Sequence, residues 1–257
     1  MSLTAHDHIM YGPVQSRRLG HSLGVNLLPT GMKVCNMNCA YCQYGWTRSE
    51  HRPRRAAGWP APARVAAALA ARLQRAADAD EQVDRITVAG HGEPTLHPEF
   101  EEITDRIRAV RDQVAPGVPL AILSNSTTAG WPDVQRALAR FDERYMKLDA
   151  GDPVTYARIN GPGTSLSGIV DALRDLSSVV VQSMFVSDRA GRVDNTTDDA
   201  VGDWLVALDS VAPVGVHIYT IDRRPALEEL HRVPANRLFE IAEHVRIAGI
   251  PTEVFTQ

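Results

Sequence analysis

The chain has 257 residues, 44% hydrophobic and 23% charged, which suits one large α/β domain and excludes disorder as the default. A formal net charge of −4 gives no global attraction for a polyanion, so nucleic-acid binding would need a local basic patch. No stretch approaches a membrane span, and residues 1–8 lack the basic start and apolar run of a secretion signal. With every cysteine in one cluster-like motif, the cytoplasm is the expected compartment.

Residues 22–28 read as a first strand, which Pro29, Thr30 and Gly31 break. All three cysteines follow, as Cys35-Asn-Met-Asn-Cys39-Ala-Tyr-Cys42, a C-x3-C-x2-C spacing. A disulfide framework wants an even number of cysteines spread along a secreted chain, and a structural zinc site wants four closed ligands. Three thiolates this close can instead hold three corners of a [4Fe–4S] cube and leave one iron open to a ligand. Zinc with His21 or His51 as fourth ligand is the alternative on spacing alone. Asn36, Asn38, Gln43 and Gly45 make the segment polar and turn-prone, suited to a loop whose N–H groups face sulfur. Residues 43–60 then form one long irregular stretch.

Further on, 63–77 is helical by composition, 85–89 is a short strand ending at Gly90, and 98–114 repeats apolar residues near the helical period. Strands at 119–123, 144–148, 179–186, 214–221 and 252–255 alternate with helices at 132–140, 167–176, 198–211 and 234–248, with a loop before the helix at 167. Six βα units with near-continuous apolar strands argue for a parallel sheet covered by helices; periodicity does not decide between a doubly wound sheet and a barrel.

Ligands of parallel α/β folds bind outside the carboxyl ends of the strands. Those ends hold the cysteines, Gly90-His91-Gly92-Glu93-Pro94, Ser124-Asn125-Ser126 and Lys147-Leu-Asp149, while later strands carry Gln182, His217 and Tyr219. Any one of them alone reads better as an ordinary turn; their convergence on one rim is harder to dismiss. Glycines admit a ligand close to the backbone, Glu93 offers a carboxylate to a cation, and Asn125 between serines suits a ribose or a carboxylate. Lys147 and Asp149 share a strand face, as a ligand-facing pair or as an interior ion pair.

The cysteine spacing with Tyr41 before the last cysteine, and a Gly-Glu-Pro turn after the next strand, resembles the radical S-adenosylmethionine (SAM) superfamily. Tyr11-Gly-Pro-Val-Gln-Ser-Arg-Arg-Leu-Gly20, Tyr41-Cys-Gln-Tyr-Gly45 and Gly92-Glu-Pro-Thr-Leu-His-Pro98 are similar to a subgroup of compact Fe–S oxidoreductases related to the tRNA wybutosine-synthesising enzymes. The resemblance runs over about residues 11–255. It implies a partial (β/α)6 TIM-like barrel as a single domain, a core over residues 1–257 with a short N-terminal extension at 1–20. Cys35, Cys39 and Cys42 would ligate three irons of a [4Fe–4S] cluster, and SAM would chelate the fourth through its amino and carboxylate groups. Gly92 and Glu93 would hold the SAM amino group, Asn125 its ribose or carboxylate, and Tyr41 its adenine; Lys147, Asp149 and Gln182 are further expected cofactor contacts. One electron from a donor such as flavodoxin or ferredoxin would cleave SAM to methionine and a 5′-deoxyadenosyl radical, which takes hydrogen from a substrate. His91 departs from the small residue common in this turn, either bonded within the turn or contacting substrate. No cysteine follows Cys42, which excludes a cysteine-ligated second cluster.

The first functional expectation is an enzyme acting on a small molecule, with His91, Arg158, Asn160, Gln182, His217 and Tyr219 as candidate substrate contacts. The alternative is tRNA-base modification, supported by Arg48, His51, Arg52, Arg54 and Arg55 beside Trp46, with Arg17 and Arg18 near. The same basic segment also reads as a solvated loop or a docking site for an acidic electron donor. An iron–sulfur or zinc regulatory protein would explain the cysteines and leave Gly92 and Glu93 idle.

Overall fold

The computed structural model describes residues 8–48 and 57–256. A hairpin opens it: β1 (Met10–Ser16) runs antiparallel to β2 (Gly20–Val25), with a register shift between Tyr11 and Val14. Helix and strand then alternate as the apolar runs dictate: α1 (Pro62–Asp78), β3 (Arg85–Val88), α2 (Phe100–Val114), β4 (Leu120–Ser124), α3 (Pro132–Leu138) and β5 (Glu143–Lys147). Two helices, α4 (Pro153–Asn160) and α5 (Leu166–Arg174), precede β6 (Val179–Asp188). Then come α6 (Asp198–Val211), β7 (Gly215–Thr220), β8 (Leu230–Arg232), α7 (Ala235–Ile247) and β9 (Thr252–Phe255).

The strand order is β1-β2-β3-β4-β5-β6-β7-β9, parallel from β2 onward, with β8 paired antiparallel to the end of β6. Because successive side chains face opposite ways, each strand contributes to two different environments. Leu23, Val25, Ile86, Val88, Leu120, Ile122, Val179 and Val181 belong to the large core that the helices cover. The other face is more polar: Ser22 meets Thr87 at 2.7 Å, Arg85 pairs with Glu143 at 2.6 Å, and Leu19, Ala121 and Tyr145 form a small apolar floor. The sheet curls about this second face, so that Tyr11 of one edge and Phe255 of the other line a common cavity. The architecture is the expected partial (β/α)6 barrel.

Three elements lie outside the sequence expectation. β1 is broken by Gly12-Pro13 and its bulge, so its apolar alternation is lost. β8 is only three residues long. α4 replaces an expected loop: Asp152 caps it, its carboxylate accepting from the Val154 and Thr155 N–H groups at 3.0 and 2.8 Å, and Pro153 occupies the first turn. No helix among the described residues is long and apolar enough to cross a membrane.

Candidate functional site

At the carboxyl ends of the parallel strands lies a cavity of about 810 Å³, lined by Cys35, Cys39 and Cys42 together with Gly92, Glu93 and Asn125. The segment after β2 is laid against the turn after β3: Val34 bridges Gly92 in parallel, and the Glu93 N–H donates to the Val34 carbonyl at 3.0 Å. A methyl on Gly92 would stand 1.8 Å from that carbonyl oxygen, and one on Gly90 would stand 2.2 Å from the Asn26 Oδ1. The expected close approach at these glycines is therefore to the protein's own backbone and to Asn26. On its other side the cysteine loop is tied to α4, Asn38 N donating to the Asn160 carbonyl at 3.0 Å and Ala40 N to that of Ile159 at 2.7 Å.

All three thiols are free. Side-chain amides reach two of them: Asn125 Nδ2 lies 3.6 Å from the Cys35 sulfur, and Asn160 Nδ2 lies 3.4 Å from that of Cys39. Burial, then the nearby Cys39, pushes the Cys35 thiol up to about 12, and burial raises Cys39 despite its Asn160 donor. A metal must displace such protons, as metal binding generally does. Lys33, also buried, donates to the Gly45 carbonyl at 2.6 Å and places a positive charge near Cys35. The Tyr156 hydroxyl and Asn160 Oδ1 are buried without a hydrogen-bond partner among the described residues, and Tyr156 feels both Cys35 and Cys39.

Among the described residues no three His, Cys, Asp or Glu side chains converge on one point as the ligands of a single ion. His21 sits at the start of β2, bonded to Asp84 at 3.1 Å, far along the strand from the cysteine loop; His51 lies outside the described residues. A zinc site completed by His21 is thus not formed. Free thiols, amide donors on sulfur and a buried lysine fit instead a cluster that takes one thiolate per iron.

Glu93 is buried, and its carboxylate joins two turns. Oε1 accepts from Thr95 N at 3.1 Å, Thr95 Oγ1 at 2.6 Å and Ser124 Oγ at 3.0 Å; Oε2 accepts from Asn125 N at 2.5 Å. Burial still raises its pKa against these donors. Oε2, with a single donor among the described residues, keeps capacity for a further one.

Lys147 and Asp149 are an ion pair of which Lys147 alone lines the cavity. Asp149 is fully buried beneath the cavity lining, its carboxylate accepting from Tyr41 Oη at 2.5 Å, Asn160 Nδ2 at 2.7 Å and Met184 N at 2.8 Å. Lys147 lines the cavity, 3.4 Å from Asp149 Oδ1 and 2.9 Å from the Tyr219 hydroxyl, with its ammonium 4.9 Å from the Tyr41 ring centroid. Burial disfavours the Lys147 ammonium, but Asp149 and then Tyr219 outweigh it and hold the group above its usual range.

The sequence matches the model of the family described as the Radical SAM superfamily over residues 30–205, more than half of the chain and all three cysteines. The chain belongs to the radical SAM superfamily. It is 31% identical over 241 residues to a UPF0026 protein of Helicobacter pylori, covering 90% of this chain and 74% of that one. In fold it is similar to a radical SAM methyltransferase from Sphaerobacter thermophilus, with a TM-score of 0.64 at 15% identity over 91% of this chain and 65% of that one, just under two thirds of its length. It is also similar to TYW1 with a lysine–pyruvate adduct bound, with a TM-score of 0.61 at 16% identity over 88% of this chain and 73% of that one. The superfamily implies SAM, an iron–sulfur cluster, a reductant and a substrate.

In this radical SAM chain Gln182 and Tyr219, like Tyr41, line the cavity. Four of the six expected substrate contacts, His91, Arg158, Asn160 and His217, do not reach it. His91 is fully buried with Nε2 2.9 Å from the Pro29 carbonyl, so it points away from the cavity but is bonded to the segment after β2 and not within its own turn. Arg158 lines a separate recess with Asp188 and Arg192. His217 is packed between Tyr145 and Phe255, with ring centroids 5.3 and 5.2 Å away, because it lies one layer deeper in β7 than Tyr219. Asn160 acts on Cys39 and Asp149 from beneath the lining. Of the basic segment, Arg48 and Trp46 are exposed, whereas His51, Arg52, Arg54 and Arg55 lie outside the described residues. Arg18, which sequence reasoning took for part of that patch, instead reaches the cavity wall through Gln182. Its sequence signals were the pair Arg17-Arg18 before a strand and its place in the Tyr11–Gly20 segment of the subgroup resemblance, and neither says where the guanidinium goes.

Proposed function

We propose that this chain is a single-cluster radical SAM enzyme in which Cys35, Cys39 and Cys42 hold a [4Fe–4S] cluster and a small-molecule substrate loses a hydrogen atom in the same cavity. The observation that carries this reading is the gathering of three free thiols, the Glu93 and Asn125 turns and a cavity of about 810 Å³ at one end of the barrel, within the size range of small-molecule sites. Cluster and SAM, once bound, would supply a 5′-deoxyadenosyl radical when one electron from a flavodoxin- or ferredoxin-like donor breaks the S–C5′ bond of SAM and releases methionine.

The protein's part is to hold and to exclude. Asn125 and Asn160 donate N–H groups to Cys35 and Cys39, and Lys33 offsets thiolate charge. Gly92 and the free capacity of Glu93 Oε2 receive the SAM amino group; Asn125 meets its ribose or carboxylate, and Tyr41 its adenine. Lys147 and Gln182 complete the lining around cofactor and substrate, while Asp149 fixes Tyr41, Asn160 and Lys147 from below. The packed strand-end residues keep water from a reactive intermediate. A cytoplasmic location follows from this redox chemistry.

Anaerobic reconstitution with iron and sulfide, followed by SAM and dithionite, tests the reading through 5′-deoxyadenosine. Wild type is expected to form it, and Cys39→Ala to lose both product and iron. A fully loaded cluster with neither SAM binding nor cleavage would overturn the proposal.

A further inference from the structure

The turn between β1 and β2 crosses the concave face of the sheet and brings Arg18 to β6 and β7. Its Nη1 donates to Gln182 Oε1, and its guanidinium carbon lies 4.3 Å from the Tyr219 ring centroid. Tyr219 also accepts from Lys147 Nζ at 2.9 Å, so two cations are gathered on one phenol at the cavity wall. A guanidinium carries five N–H donors and a full charge at all ordinary pH. Among the described residues the Arg18 side chain has one hydrogen-bond acceptor, a neutral amide, and no carboxylate.

The acids that line the cavity do not answer that charge. Glu93 is bound by Thr95, Ser124 and Asn125, and Asp222 is paired with Arg17 at 3.2 Å and Arg232 at 2.8 Å. Lys147 has Asp149 as its counter-charge, whereas Arg18 has none among the described residues. Arg223 and Lys33 also line the cavity without a carboxylate, but Arg223 donates to Gln43 at 2.9 Å, and Lys33 donates to the Gly45 carbonyl and faces the cysteines; of the three, Arg18 is the one stacked on Tyr219 beside Lys147. An arginine kept for packing alone is normally neutralised, since a half-buried charge without a partner costs stability. A planar fork facing a cavity is suited to an oxyanion.

We propose that Arg18, with Lys147 beside it on Tyr219, forms an oxyanion site that holds a carboxylate or phosphate of the substrate, so that the substrate is a small anion. The proposal rests on the radical SAM reading above and names the substrate class for that site. Arg18 reads the charge; Gln182 and the Tyr219 ring fix the plane of its fork.

The test is calorimetric titration of the cluster-loaded protein with SAM present, using succinate and inorganic pyrophosphate as separate probes, on wild type, Arg18→Met and Arg18→Lys. Wild type is expected to bind one of the two, which distinguishes a carboxylate site from a phosphate site. Arg18→Met is expected to weaken that binding about 10- to 100-fold, and Arg18→Lys to restore part of it. SAM affinity, measured on the same samples, is expected to stay within about twofold, below the loss of one charged hydrogen bond. Failure of both anions to bind wild type that binds SAM overturns the proposal, as does undiminished binding to Arg18→Met. Loss of SAM affinity together with anion binding also overturns it, since Arg18 would then serve the cofactor. Wild type with a full cluster but no SAM binding sinks the parent reading instead, and an anion whose binding still depends on Arg18 would support the site on its own.

Discussion

Asn160 presents one amide nitrogen to three acceptors: the Cys39 sulfur at 3.4 Å, the Tyr41 hydroxyl at 3.1 Å and Asp149 Oδ2 at 2.7 Å. It thereby couples a cysteine to a fully buried carboxylate that the cavity does not touch. Asn160→Leu keeps most of the volume and removes every donor. Cluster retention under a chelator is expected to fall about 10- to 100-fold. The cluster's reduction potential is expected to move to more negative values, because an N–H donor on a thiolate favours the more negatively charged, reduced form. Potentiometric titration followed by EPR measures this; an unmoved potential would mean that the amide does not act on the sulfur. The cysteines themselves were legible in the sequence, because a spacing within eight residues is a local property. Asn160 was noticed only as a candidate substrate contact, since nothing in its neighbours tells that its partners lie 11 and 121 residues away.

Between residue and site stands the helix α4, and its two ends do different things. Asp152 caps the start, while the last turn delivers Tyr156, Ile159 and Asn160 to the underside of the cysteine loop. Asp152→Ala is expected to destabilise the protein by about 1 kcal/mol, the usual value of such a cap, as a lowered urea midpoint. If the helix holds the loop in place, the same variant also releases iron faster than wild type at equal stability; unchanged iron release would confine the cap to a role in folding. Most strands and longer helices could be read from the sequence because their apolar residues recur over many positions. α4 could not, because eight residues give too few turns for a period. The pair Asp152-Pro153 was the available signal. For β1 the obstacle was Gly12-Pro13, which interrupts the alternation; its membership of the sheet is decided by its partner β2.

At the scale of the molecule, stability toward acid rests on carboxylates at the rim of the sheet and between helices. The His21 backbone N–H at 2.7 Å, more than any other group, holds the Asp84 carboxyl at about 2, and Arg136, then Arg140, hold Glu101 at about 2. Groups whose acidity is strengthened by folding contribute fully above the unfolded value of about 4 and lose that contribution as pH falls toward about 2. Urea midpoints of wild type are therefore expected to drop between pH 5 and pH 2 more steeply than those of Asp84→Asn, whose amide does not titrate. Parallel slopes for the two proteins would remove Asp84 from the account. The exposed Arg17–Asp222 pair, by contrast, adds little to stability at any pH.

The walls of this cavity are drawn from distant parts of the chain: Cys39 meets Asn160 across 121 residues, Arg18 meets Gln182 across 164, and Arg17 meets Asp222 across 205. Translation at about 5–20 residues per second leaves the thiols waiting about 6–24 s before the Asn160 amide has been synthesised. During that interval the cysteine loop has neither α4 beneath it nor Lys147 beside it. Iron and sulfide delivered to the emerging segment would meet bare thiols in water, open to oxidation and to the wrong metal. A cluster held by these thiols would therefore be better loaded after synthesis, by machinery that recognises a finished barrel in place of a nascent cysteine motif.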